Sequence, residues 1–355
     1  MTSEPQAQSS ERTDRSGVMT VSGLIASDEL GITLMHEHVF NDVSSWWRGH
    51  ASGATARVSR GPIDVSIIGE LRMDPFSSKD NCVMSDFGAA AEELAQFRDL
   101  GGRTVVETTG IGIGRDPRAL RRVSEATGLQ IVMGSGFYLE ESQPARTQDM
   151  SVDDIADEIV RDASDGVDGS GVRAGIIGEI GVGVDFSPAE RKSLRGAARA
   201  QRATGLPLSV HLPGWRRYAH EVLDVVAEEG GDVQHTVLCH MNPSGEDFDY
   251  QASVAERGAY IEYDMVGMDY YYADQGAQCP SDEENARNIA RLVENGYGDH
   301  VLLSQDVFLK MMLTRYGGFG FAYILRHFVP RLVRHGLQDA QIDQLLVANP
   351  RAVFA

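Results

Sequence analysis

A chain of 355 residues with a formal net charge of -20 at pH 7 is a poor partner for nucleic acid or for an anionic membrane surface. Its hydrophobic content of 42% and its 38 glycines suit a large globular core crossed by many tight turns. Three cysteines (Cys82, Cys239 and Cys279) lie far apart, so no disulfide framework is expected and a reducing cytoplasm is the compartment they suit.

Residues 1–17 are polar, rich in Ser, Thr, Gln and Arg, and lack an apolar stretch. They read as a disordered tail rather than a signal peptide, which leaves 18–355 as one domain. No apolar run approaches the ~20 residues that a membrane helix needs, so the chain reads as soluble.

Past the tail, short β-branched or apolar runs alternate with longer amphipathic segments. Strands are predicted at 32–35, 104–107, 130–133, 174–177, 207–210, 236–238, 260–263 and 301–303. Helices are predicted at 87–100, 117–127, 152–163, 188–204, 218–229 and 282–295. Several end in a glycine ahead of the next strand, as at Gly128, Gly205 and Gly258. Eight such alternations, in a chain of ordinary length for the fold, predict a single α/β domain, a (β/α)8 TIM barrel. An open doubly wound sheet would carry a glycine-rich phosphate turn after its first strand, and His36-Glu37-His38 stands there instead. The run Gly110–Gly114 does not fit the dinucleotide fingerprint and reads as a flexible loop. Two long irregular segments, 41–85 with Trp46 and Trp47, and 265–280 with Tyr270, Tyr271 and Tyr272, are candidates to wall a pocket. Packing or a subunit contact explains the two tryptophans equally well.

Alternate side chains on a strand share a face, so His36 and His38 point together and Glu37 points away. Two converging imidazoles suit a divalent transition metal. Glu179, His211, His240 and Asp306 each stand at or just beyond the end of another predicted strand. In a barrel these ends form one rim, the C-terminal rim where catalytic groups gather. The other six histidines, His50, His220, His235, His300, His327 and His335, fall in a loop, in helices or ahead of strands, and none is assigned a role.

These motifs are similar to those of the phosphotriesterase family of the amidohydrolase superfamily, and most of all to its phosphotriesterase homology protein branch. The likeness runs from Gly31-Ile32-Thr33-Leu34-Met35-His36-Glu37-His38, through Arg173-Ala174-Gly175-Ile176-Ile177-Gly178-Glu179-Ile180-Gly181, to Gly317-Gly318-Phe319-Gly320 and Asn349-Pro350. The resemblance implies two divalent ions. His36, His38 and Asp306 would hold the more buried one, and His211 and His240 the more exposed one. Zinc is the first choice of ion, with Mn, Co and Fe as alternatives. Most family members bridge the ions with a carboxylated lysine, at the position of Gly178 here. In the branch resembled, a glutamate one residue further on takes that role, which falls to Glu179. A one-residue offset reverses the side chain in a regular strand, so the strand must bulge or end near Gly178.

The activity so implied is metal-dependent hydrolysis. A hydroxide shared by the two ions attacks a small carboxylic ester, lactone or amide, and Asp306 handles its proton. Phosphotriester or phosphodiester hydrolysis is the alternative, and a catalytically idle barrel with a binding role is a third reading. Lactonases of the family share a Tyr after the third strand and an Arg after the seventh. Tyr138 matches the first, but Met265 occupies the second position, which argues against acyl-homoserine lactones. Tyr138, Trp215, Met265, Met268, Tyr270 and Phe308 are the candidate substrate-binding residues, and Lys310 and Arg315 could meet an anionic group. The partner is thus a small molecule, and family members are commonly homodimers.

Overall fold

The computed structural model describes residues 17–48 and 58–355. The predicted tail, apart from Gly17, and His50 lie outside the described residues. Eight strands form one parallel sheet in sequence order: β1 (Thr33–Glu37), β2 (Thr104–Glu107), β3 (Gln130–Ser135), β4 (Ile176–Gly181), β5 (Leu208–His211), β6 (Thr236–Leu238), β7 (Tyr260–Tyr263) and β8 (Val301–Leu303). Nearly every residue of these strands is buried, because helices cover the outer face and the barrel interior covers the inner one. This double burial is why the strands read as apolar runs rather than alternating ones.

The connecting helices are α1 (Phe87–Asp99), α2 (Pro117–Thr127), α3 (Val152–Ser164), α4 (Pro188–Thr204), α5 (Ala219–Glu228), α6 (Phe248–Ala255), α7 (Asp282–Glu294) and α8 (Val329–Arg334). Their starts are set by side chains that accept the otherwise free first-turn amides. Asp86 accepts from Ala89 and Asp116 from Arg118 and Ala119, while Ser151, Ser187 and Ser281 form reciprocal caps with Asp154, Glu190 and Glu284. Gly128 and Gly205 end α2 and α4 in the left-handed conformation. Sequence patterning missed α6, which is only eight residues long, and the antiparallel hairpin Gly17–Thr20 with Gly23–Ala26.

Gly110–Gly114 departs from the flexible loop expected of it. Ile111 bridges to Phe137, and Ile113 is fully buried and accepts the Asp42 amide at 2.8 Å. A Cβ on Gly112 would meet the Ser142 carbonyl at 2.3 Å, so these glycines serve close packing rather than mobility.

The barrel closes differently from the rest of the sheet. Every other neighbouring pair is joined by a backbone ladder, but β1 and β8 meet through side chains and a backbone hydrogen bond just beyond β8. The His36 amide donates to Ser304 Oγ at 2.9 Å, and the His36 carbonyl accepts the Asp306 amide at 3.2 Å. Glu37, fully buried, completes the seam. Its carboxylate accepts the Gln305 amide (3.0 Å), Gln305 Nε2 (3.0 Å) and the Val307 amide (2.8 Å), and lies 2.8 Å from Ser304 Oγ. Glu37 therefore does turn away from the two histidines, and it is a clamp rather than a surface carboxylate.

Glu37→Leu leaves two buried amides without an acceptor. It is expected to cost about 3 kcal/mol or more of stability, read as a lower urea midpoint at unchanged slope. An unchanged midpoint would mean that the seam does not depend on this carboxylate.

Candidate functional site

Each of the six residues at the predicted strand ends arrives at one point on the C-terminal rim. His36 and His38 leave β1 with ring centroids 5.4 Å apart, and His36 and His240 lie 5.2 Å apart. The nitrogens and carboxylate oxygens of His36, His38 and Asp306 fall within 4.8 Å of one another, and so do those of His36, Glu179 and His240. At the centre is the Glu179 carboxylate. It stands 3.2 Å from His38 Nε2, 3.7 Å from His36 Nε2, 3.0 Å from His211 Nδ1 and 3.5 Å from His240 Nε2. Asp306 closes the ring at 3.3 Å from His38 Nε2 and 3.7 Å from His36 Nε2.

Local backbone makes this convergence possible. Gly178 has a φ of +127°, the Gly178–Glu179 peptide is cis, and the pairing of β4 with β5 shifts register between Ile177 and Ile180. With the ladder shifted here, the Glu179 side chain faces inward to the histidines. A Cβ on Gly178 would lie 2.3 Å from the Ser209 carbonyl oxygen, so no side chain fits on that backbone. His240 and Asp306 also have positive φ, 58° and 48°, which costs each on the order of 1–3 kcal/mol. Hydrogen bonds hold both in place. The Asp264 carboxylate accepts the His240 amide at 2.9 Å, and the His36 carbonyl accepts that of Asp306.

A second layer of buried polar groups orients the imidazoles. His38 Nδ1 lies 2.8 Å from Thr109 Oγ1, which donates to Glu107 at 2.5 Å. His240 Nδ1 is 3.0 Å from Asp264, and His36 Nδ1 is 3.4 Å from Glu262. Thus His240 directly, and His38 through a hydroxyl, are hydrogen-bonded to a carboxylate that fixes the tautomer facing the site, while Glu262 stands near His36 without a hydrogen bond. Sequence reading missed Glu107, Glu262 and Asp264. The available signal was an acidic residue within or just after a strand that is otherwise apolar on both faces.

The electrostatics follow from burial opposed by neighbours. Burial alone would raise the Glu179 carboxyl, but His36 and His211 hold it well below the usual carboxylate range. Asp306 is likewise lowered against its burial, chiefly by His38 and His36. Glu262, whose main influence is burial with His36 as partial offset, is raised. The His36 ring is fully buried and neither nitrogen has a hydrogen-bond partner. Buried, unpaired imidazole nitrogens facing two ionised carboxylates are the donor set of a divalent metal site, and a cation fits there.

Above this cluster opens a cavity that, with the open space at its mouth, encloses about 620 Å³. Tyr138, Trp215, Met265 and Phe308 line it, while Met268 and Tyr270 do not. Tyr270 faces a separate depression beside Arg72 and Phe319, and of its aromatic run it is Tyr272 that reaches the cavity. Both irregular segments contribute walls: Val43, Trp46 and Phe76 from one, Tyr272, Asp274 and Gln275 from the other. Trp46 therefore faces the cavity, whereas Trp47 packs on the core beneath Lys79. Lys310 and Arg315 point elsewhere, bound to Asp80 at 2.5 Å and to Asp86 at 3.1 Å. The remaining described histidines stand apart, as with His220 on Ser253 and His335 on Glu283.

Comparison with known proteins places this geometry. A model of the phosphotriesterase family matches residues 16–354. The chain is 34% identical over 342 residues to the N-acetyltaurine hydrolase of Danio rerio, covering 95% of this chain and 97% of that one. It is similar to the crystal structure of a resiniferatoxin-binding protein from Rhodobacter sphaeroides, with a TM-score of 0.94, 57% identity, and 96% and 95% of the two chains covered. The phosphotriesterase homology protein of Escherichia coli, solved with phosphate in its active site, superposes with a TM-score of 0.76 at 27% identity, over 92% of this chain and all of that one. With a matching model over nearly its whole length and the barrel and rim cluster described above, the chain belongs to the phosphotriesterase family, whose members named here include hydrolases.

Proposed function

We propose that the protein is a binuclear metal-dependent hydrolase of small carboxylic esters, lactones or amides. The observation that carries this reading is the single Glu179 carboxylate within 3.7 Å of a ring nitrogen of all four rim histidines. A carboxylate so placed can be shared by two cations. His36, His38 and Asp306 would hold the more enclosed ion, His211 and His240 the one nearer the cavity, and zinc suits this nitrogen and oxygen set. When bound, such ions acidify water and polarise a carbonyl or phosphoryl oxygen.

The chain's own groups perform the remaining tasks. In hydrolysis a water oxygen bonds to the acyl carbon, the bond to oxygen or nitrogen breaks, and one proton must travel to the leaving group. Asp306, ionised and at the cavity floor, is placed to take that proton and pass it on. Tyr138, 3.3 Å from His211, stays protonated because burial raises its phenol, and so can donate a hydrogen bond to a substrate oxygen. The carboxylates behind His38 and His240 keep those imidazoles aimed as charge develops. The apolar walls limit the water that competes with these contacts. The amide-hydrolase name of the Danio rerio relative supports an acyl rather than a phosphoryl substrate.

Metal content of protein purified without added metal, measured by plasma emission spectroscopy, is expected at about two divalent ions per chain. Glu179→Ala should lose at least half of that content with an unchanged circular dichroism spectrum. Retention of both ions by that variant would remove Glu179 from the bridging position, and wild type that binds no ion on titration would return the barrel to a binding role. Asp306→Asn should lower kcat for ester or amide cleavage by about 10²–10⁴-fold. A change of less than tenfold would assign the proton transfer elsewhere. Gly178→Ala is expected to reproduce the metal loss of Glu179→Ala, since the added methyl displaces the backbone that aims Glu179. Full occupancy in Gly178→Ala would show that another backbone path presents the carboxylate.

A further inference from the structure

The walls of the cavity are aromatic and continuous. Phe308 lies edge-on to His38, with centroids 6.4 Å apart, and contacts Phe76 at 6.2 Å. Phe76 stacks on Trp46 at 5.0 Å and meets Tyr272 at 5.7 Å, and Tyr272 reaches Trp215 at 5.7 Å. These rings form a box that begins at a rim histidine and ends at the mouth. No lysine or arginine lines it among the described residues, and the charged group away from the rim cluster is Asp274, a carboxylate. Among the described residues of the same loops, Lys310 is held by Asp80, Arg315 by Asp86, and Arg48 by Glu141 at 2.6 Å. In addition, the net charge of -20 opposes the approach of anions.

From this we infer that the substrate's non-reacting end is an uncharged aromatic or similarly apolar group, and that the site rejects an anionic end. The inference rests on the acyl-hydrolase reading above and adds specificity to it. N-acetyltaurine, which the Danio rerio relative is named for, ends in a sulfonate. Inside this box a sulfonate would give up its water with no lysine or arginine among the described lining residues to replace it, next to the Asp274 carboxylate. A phenyl ring would instead bury its faces against Trp46, Phe76 and Trp215, in offset or edge-to-face contact.

Two amides isolate this difference, because N-acetyltaurine and N-acetylphenethylamine carry the same acetamide on the same two-carbon linker. They differ in sulfonate against phenyl. Each is to be assayed with metal-loaded enzyme, and its binding followed by quenching of tryptophan fluorescence, since Trp46 and Trp215 face the cavity. The phenyl compound is expected to have the higher kcat/KM by about tenfold or more, and to quench at concentrations where the sulfonate does not. Equal or faster cleavage of N-acetyltaurine would overturn the inference and leave the hydrolase reading intact. Quenching by the phenyl compound alone, with neither amide cleaved, would support the box and count against amide chemistry. If neither is bound nor cleaved, both readings fall.

Discussion

A buried carboxylate with four hydrogen-bonding partners, Glu37, joins the two ends of the sheet where no backbone ladder does. Ladders are repetitive and tolerate slippage, whereas one carboxylate accepting particular amides admits a single register. That register sets the site, because β1 carries His36 and His38 on either side of Glu37, and Asp306 lies between the Gln305 and Val307 amides that Glu37 holds. Were the seam to slide by one residue, the histidines and Asp306 would separate and the rim cluster would lose its enclosed half. The residue that makes the site possible is thus one that never faces it.

Burial of charge is the theme of the remaining architecture. Glu179, Glu262, Asp264 and Asp306 are buried within a few ångströms of the rim imidazoles, and Glu107, also buried, reaches His38 through Thr109. Isolated carboxylates there would take up protons, and the raised Glu262 shows that tendency. Glu179 and Asp306 stay ionised because histidines surround them. The strained backbone at His240 and Asp306 belongs to the same design: side chains are held in positions that a relaxed chain would not choose, and the surrounding hydrogen bonds keep them there.

Over this polar floor stands an aromatic box with no cationic lining among the described residues. The division is one of labour. In the proposed function, reactivity would depend on the rim, which the barrel topology makes rigid, and selectivity on two long loops that can change without disturbing the strands. This explains how proteins sharing the family's barrel can have names as different as a hydrolase of N-acetyltaurine and a binder of resiniferatoxin.

Much was legible from the sequence by itself. Apolar runs at regular spacing specified eight parallel strands, since strands buried on both faces cannot be anything but apolar. The strand-end positions of His36, His38, Glu179, His211, His240 and Asp306 placed them on one rim, because barrel topology makes all strand ends neighbours. The need for an irregularity at Gly178 followed from the one-residue offset of Glu179 that the family resemblance implied. Tertiary structure alone decided the rest. Met268 and Tyr270 left the cavity and Tyr272 entered it, because loop side chains follow no period from which a direction could be read. Glu107, Glu262 and Asp264 became supports for the histidines, and Lys310 and Arg315 were taken by Asp80 and Asp86, through contacts between residues remote in sequence. Periodic elements carry their geometry in the local chain; partners chosen across the barrel exist only once it has closed.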